Sequence, residues 1–116
     1  MGKKCLVIGG DGFLGSHLVD DLLARGYEVR VFDRFRKGRV KNLKHLKGKI
    51  EFYKGDFLNK WHLSRAIKGS EYVFHFVSLS TPGSTANDPH AEIRLNLEGT
   101  LQLLDLCVKH GVKKVI

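Results

Sequence analysis

The stretch Lys4–Gly15, KCLVIGGDGFLG, decides how the rest of the chain reads. Cys5-Leu6-Val7-Ile8 is a short apolar run of strand character. It ends on glycines at positions 9, 10, 12 and 15, and a helical pattern starts straight afterwards. Strand, tight glycine turn and helix, in that order, form the setting in which the diphosphate of a dinucleotide is bound. The spacing is Gly9-x-x-Gly12-x-x-Gly15; its last two glycines match the G-x-G-x-x-G pattern and the first is displaced by one residue. Gly9 or Gly10 lets the backbone turn sharply out of the strand. Gly12 would let a diphosphate approach the main chain, and Gly15 would let the helix lie close to the strand. The first helical amides, near Phe13 and Leu14, have no partner inside the helix and point at the place where an anion would sit. An ordinary glycine-rich βα turn has the same composition. A P-loop shares the Gly10-x4-Gly15 spacing but needs Lys next, and Ser16 excludes it.

Outward from this turn, Leu14, Leu18 and Leu22 predict one face of a helix over about 13–25, widened by Val19 and Leu23, with Gly26 as its left-handed stop. Glu28–Asp33 then alternates as a second strand and ends on Asp33, 21 residues beyond Gly12. A carboxylate there can accept hydrogen bonds from both hydroxyls of an adenosine ribose, and it repels a 2′-phosphate. The other reading of Asp33 is a turn-forming Asp at a strand end. NAD is expected over NADP, although Arg34 and Arg36 could accommodate the extra phosphate.

A short helix is expected at 39–47, a third strand at Lys49–Lys54, and a helix over Trp61–Ile67. Asp56 either receives the adenine amino group or caps that helix, which begins near Asn59. Glu71–Val77 is nearly continuous in apolar residues, as a central strand would be, and His75 within it reads as a packed strand histidine. Residues 78–89, rich in Ser, Thr and Pro, follow the carboxyl end of that strand, where ligands bind in open α/β sheets. The longest helix, about 89–110, carries two apolar stripes. One is Ile93, Leu97, Leu101, Leu104 and Val108; the other is Leu95, Leu103 and Leu106, with Gly99 between. One would pack on the sheet and the other on a partner helix. A fifth strand begins at 112. The fold class is therefore α/β, a doubly wound parallel sheet of Rossmann type, truncated in strand five.

With 116 residues the chain is one domain at most. No apolar run approaches the roughly 20 residues that span a bilayer, and no secretory pattern opens the chain. Cys5 and Cys107 have no metal-ligand spacing and read as buried thiols, so a cytoplasmic protein without a membrane partner is expected. The net charge of +8 resides in one segment: 8 of the 20 basic residues lie between Arg34 and Lys49 with no acid among them, leaving 12 of each sign elsewhere. Without stacking aromatics beyond Phe35 or a nucleic-acid-binding motif, this reads first as a solvated connection, then as help for a phosphorylated ligand, and last as a nucleic-acid surface.

Taken together, Gly9-x-x-Gly12-Phe13-Leu14-Gly15, Asp33, Gly55-Asp56, His75-Phe76-Val77-Ser78 and Asn96-Leu97-Glu98-Gly99-Thr100 resemble the extended short-chain dehydrogenase/reductase family. Within it the chain is similar to the NAD-dependent epimerase/dehydratases of nucleotide sugars and looks like the UDP-glucose 4-epimerases and their near relatives. The resemblance implies that Gly9, Gly12, Phe13 and Leu14 hold the diphosphate. It puts Asp33 and Arg34 at the adenosine ribose, and Asp56 and Phe57 beside adenine. Phe76, Val77, Ser78 and Ser80 would line the inner ribose and nicotinamide, and Asn96 would steady the site from the long helix.

That family's proton chemistry needs Tyr with Lys four residues on. Tyr27, Tyr53 and Tyr72 are followed at that offset by Val31, Phe57 and Phe76, so no catalytic residue is expected in this chain. The expectation is an amino-terminal NAD-binding part, residues 1–116, of a longer enzyme that would oxidise and reduce C4 of a nucleotide sugar; the substrate domain lies elsewhere. A complete, non-catalytic NAD(P)-sensing module is the alternative. An open sheet edge and an uncovered helix stripe lead to an expected homo-oligomer.

Overall fold

The computed structural model describes residues 3–35, 42–77 and 88–116. β1 (Lys4–Ile8), β2 (Glu28–Asp33), β3 (Glu51–Lys54), β4 (Tyr72–His75) and β5 (Lys114–Val115) form one parallel sheet in the spatial order β3-β2-β1-β4-β5. The chain moves outward from β1 to β3, then returns to the other side of β1. That reversal makes a switch point between β1 and β4, whose register pairs Cys5 with Tyr72 and Ile8 with His75.

Alternation along β1 divides the core in two. Leu6 and Ile8, with Phe32 and Val73, meet Leu63, Ala66 and Ile67 of α2 (Lys60–Ile67) and Leu103, Leu106 and Cys107 of the carboxyl-terminal helix. Cys5 and Val7, with Val29 and Val31, meet Val19 and Leu22 of α1 (Phe13–Ala24) and the loop residues Leu43 and Leu46. Both faces of the sheet are covered, which is why its strands read as apolar runs.

α1 buries Gly15, Ser16, Val19 and Leu22, so its inner face is rotated from the expected Leu14-Leu18-Leu22 line and Leu14 is 66% exposed. The glycine permits this rotation, because a side chain at 15 could not fit against the turn. The expected strands at 49–54 and 71–77 are trimmed to β3 and β4. Of the helix expected at 39–47, residues 39–41 lie outside the described part, and Lys44–Leu46 is a single 3₁₀ turn. Asn59, not Asp56, caps α2: its side chain accepts from the amides of Trp61 and His62.

The long helix is present in three parts, α3 (Pro89–Ile93), a π-helical segment (Arg94–Glu98) and α4 (Gly99–Lys109). Gly99 selects its inner stripe. A Cβ at 99 would stand 2.5 Å from the Phe57 ring, so Gly99, Leu103 and Leu106 turn inward, while Ile93, Leu97, Leu101, Leu104 and Val108 are exposed.

Arg30 interrupts the apolar pattern of β2, yet it is buried. Its Nη1 donates to the carbonyls of Ala66 (2.7 Å) and Lys68 (2.8 Å), which α2 leaves without helical partners, and its guanidinium lies 4.7 Å from the Tyr53 ring centroid.

Candidate functional site

A cleft of about 610 Å³ opens beyond the carboxyl ends of β1, β2 and β4, at the switch point. Gly9, Asp11, Gly12 and Phe13 form its wall on the glycine turn. Phe32, Asp33 and Arg34 enter from β2, and Asn42 from the chain before β3. Gly55, Asp56, Phe57 and Leu58 follow β3, Phe76 and Val77 follow β4, and Ala91, Arg94 and Leu95 close the helical side.

The turn consumes most of its own amides. Gly9, at φ +80°, donates to the Phe32 carbonyl (2.8 Å), and Gly12 donates to the Gly9 carbonyl (3.1 Å). The Asp11 amide donates to Asp33 Oδ2 (3.0 Å). Phe13 and Leu14 follow at the start of α1, where Gly12 occupies the N-cap and no side chain caps the helix. Their amides have no hydrogen-bond acceptor among the described residues, and the helix dipole adds partial positive charge there. This end of α1 can take an anion.

Glycine is required at Gly10 and Gly15 by the protein itself: a Cβ would come within 2.7 Å of Val31 and 2.4 Å of the Gly9 carbonyl oxygen, respectively. At Gly12 an added Cβ meets only that same oxygen, at 3.3 Å, and the residue borders the cleft. The space that Gly12 leaves is therefore on the side a ligand would enter.

Asp33 points at the turn. Its Oδ2 holds the Asp11 amide and its Oδ1 accepts from the Phe35 amide at 3.0 Å, while each oxygen keeps acceptor capacity for a hydroxyl. Phe35 adopts φ +50°, a left-handed conformation costing a non-glycine residue about 1 kcal/mol. Its buried ring, edge-on to Phe52 at 5.8 Å, holds that conformation in place.

Of the residues expected at the site, Gly9, Gly12, Phe13, Asp33, Arg34, Asp56, Phe57, Phe76 and Val77 line this one cleft. Phe57 is placed differently from a residue open for stacking: it is 2% exposed, part of the core, and its ring stacks on His75 with centroids 4.9 Å apart. It is the floor of the cleft. The Leu14 side chain does not border the cleft. Asn96 lies in the π segment beside Arg94 and Leu95, which do line it, but is not itself in the lining. Ser78 and Ser80, and Arg36 of the cofactor choice, lie outside the described residues.

Sequence reading missed Asp11, Asn42 and Arg94. Asn42 donates its amide to Asp11 Oδ1 and its Nδ2 to the Asp11 carbonyl, both at 2.7 Å. No local pattern marks a contact across 31 residues. Arg94 and Arg34 are the arginines of the lining. His75, behind Phe57, is half-buried, with Nε2 3.4 Å from Thr100 Oγ1; burial lowers its pKa, which keeps the imidazole neutral. Among the described residues no cluster of His, Cys, Asp or Glu could hold a metal, and no helix is long and apolar enough to cross a membrane.

The model of the NAD dependent epimerase/dehydratase family matches residues 5–116. Among curated relatives, the human sterol-4-alpha-carboxylate 3-dehydrogenase, decarboxylating, is 40% identical over 114 residues, covering 98% of this chain and 28% of that protein. The UDP-glucose 4-epimerase of Bos taurus is 35% identical over 128 residues, covering 100% of this chain and 37% of its own. Among solved structures, the UDP-glucose 4-epimerase of Thermus thermophilus in complex with NAD superposes with a TM-score of 0.84 at 37% identity, covering 97% of this chain and 36% of that one. The chain thus spans about a third of the length of the relatives it matches.

Proposed function

The chain belongs to the NAD dependent epimerase/dehydratase family, and from that premise we propose that it is the NAD-binding part of an enzyme acting on a nucleotide sugar. The observation that carries the reading is the Asp33 carboxylate, held against the glycine turn inside the switch-point cleft. The fit to NAD is good at both ends of its adenosine diphosphate. The uncapped amides of Phe13 and Leu14, beside the bare Gly12, suit two phosphates, and Asp33 suits the vicinal hydroxyls of the ribose. When bound, NAD supplies a hydride acceptor that can also return the hydride.

The residues of this chain bind and orient. Asp33 would accept from the ribose hydroxyls and disfavour a 2′-phosphate, so NAD is preferred over NADP. Asp56 borders the cleft beyond β3, where adenine would lie, with its own Oδ1 turned to the Leu58 amide at 2.9 Å. Phe76 and Val77, which line the cleft, would with Ser78 and Ser80 line the inner ribose and nicotinamide, and Asn96 would steady the site from the long helix. Arg94, across the cleft from the turn, adds a cation for the phosphates. The catalytic Tyr and Lys and the sugar-binding part belong, in this reading, to protein outside residues 1–116; the enzyme would move a hydride at C4 of the sugar.

The similarity to the sterol-4-alpha-carboxylate 3-dehydrogenase favours a second reading, a sterol carboxylate as substrate. Both readings ask the same of residues 3–116. We further propose that the protein is cytoplasmic, since Cys5 and Cys107 are free thiols, and that it self-associates through the exposed stripe of the long helix.

Calorimetric titration of NAD into the chain tests the cofactor site. Wild type should bind NAD more tightly than NADP, and Asp33→Ala should weaken NAD by about tenfold or more, the loss expected for hydrogen bonds to a charged acceptor. Absence of heat at millimolar NAD would overturn the proposal.

A further inference from the structure

Asn42 holds a place in the cleft that the cofactor reading does not use. Both of its donors go to one residue, the backbone amide to Asp11 Oδ1 and Nδ2 to the Asp11 carbonyl, each at 2.7 Å. Asp11 is only 7% exposed and in turn donates its amide to Asp33 Oδ2. The three residues form a relay, Asn42 to Asp11 to Asp33. Its last member is also gripped from the other side by the Phe35 amide. The two described ends of the β2–β3 connection, Phe35 and Asn42, are therefore both seated on the Asp33–Asp11 pair.

We infer that Asn42 is a positioning residue for the adenosine half of the cofactor. It clamps Asp11, and the Asp11 amide then fixes the direction in which the Asp33 carboxylate faces the ribose. The inference rests on the NAD reading above and deepens it. Its physical basis is that a carboxylate on a strand end has two rotatable bonds, and its aim is set by what donates to it. With the clamp intact, Oδ2 is held at the turn and both oxygens keep lone pairs for hydroxyls. Without Nδ2, the Asp11 carbonyl loses a donor in a half-buried place, and the turn residue carrying the Asp33 donor becomes free to shift.

The test compares wild type with Asn42→Ala and with Asn42→Leu, an uncharged side chain of similar length that keeps the backbone donor and removes only the side-chain donor. Affinities for NAD, NADP and AMP are measured by calorimetry, alongside melting temperatures. Both variants should weaken NAD and AMP by the same factor, about fivefold, because the loss lies in the half the two ligands share. NADP should weaken less, so that the preference for NAD narrows. A purely structural role would lower the melting temperature without narrowing that preference. Equal NAD and AMP affinities in wild type and variants, or a loss confined to NAD, would overturn the inference and leave the proposed function standing. A wild-type chain that binds neither NAD nor AMP at millimolar concentration would overturn both. If Asn42→Ala does not fold, Asn42→Leu decides alone by the same readings.

Discussion

A Cβ built on Gly15 would lie 2.4 Å from the carbonyl oxygen of Gly9, closer than a Cβ comes to a non-bonded neighbour, whereas one on Gly12 meets the same oxygen at 3.3 Å. The two glycines of one motif thus answer to different constraints. Gly15→Ala must displace backbone and should cost about 1–3 kcal/mol of stability or more. Gly12→Ala needs a shift of only a few tenths of an ångström and should cost less than about 1 kcal/mol, yet weaken NAD by at least about tenfold, since the methyl enters the space left for phosphate. Urea denaturation together with NAD titration separates the two. Equal stability losses would refute the distinction.

Arg30 offers a second test. Its buried guanidinium satisfies the Ala66 and Lys68 carbonyls and reaches Glu51 Oε2 at 3.4 Å. Arg30→Met keeps much of the stem but leaves those carbonyls without their donor, so a loss of about 1–3 kcal/mol is expected. The Glu51 partner is half-exposed and contributes little of this. A variant as stable as wild type in urea would show that water replaces the guanidinium.

The apolar run of β1, the alternation of β2, the stop at Gly26 and the acid at the end of β2 are local signals, and each led from the sequence to its proper place. What stayed hidden depends on contacts distant in sequence. Two apolar stripes on the long helix look alike until the Phe57 ring, 42 residues before Gly99, is seen to need the room that glycine leaves. Phe57 itself follows an exposed-looking Gly-Asp turn, and only its packing on His75 reveals it as core. The rotation of α1 away from Leu14 follows from the close approach of Gly15 to the turn, which leucine spacing does not encode. The π segment at Arg94–Glu98 leaves no mark in composition.

His75 links pH to stability. Burial lowers its pKa below the ordinary 6.5, so on acidification the unfolded chain takes up a proton before the folded chain does. Stability should be unaffected by this residue well above pH 6.5, and should fall as pH drops from 6.5 toward the lowered folded value. His75→Phe, which can keep the stacking on Phe57, should flatten that part of the profile. Urea midpoints measured between about pH 5 and pH 8, the range in which an unperturbed histidine titrates, check this; parallel profiles for the two proteins would refute it.

Cys107 is buried, and desolvation raises its pKa to about 11. At a pH near 8 its thiolate fraction would be about one in a thousand, and the folded chain shields it besides. Cys5, also buried, has its pKa raised mainly by desolvation. Modification of both thiols by an aromatic disulfide reagent should therefore keep pace with unfolding. Stoichiometric labelling within seconds in native buffer would contradict the burial.

The exposed stripe of Ile93, Leu97, Leu101, Leu104 and Val108 runs from the end of α3 through the π segment and α4. Five exposed aliphatic side chains along one helix form an apolar stripe of the kind that marks an interaction surface. A two-fold pairing of two such stripes would cover both at once, since the same face serves each copy. Leu97→Glu with Leu101→Glu puts two charges at the centre of that surface and should shift the chain toward monomer, with little change in folding because neither side chain is in the core. Light scattering over a hundredfold range of concentration reads the outcome. A wild-type chain that is monomeric throughout that range would refute self-association through this face, and an oligomer insensitive to both substitutions would move the interface elsewhere.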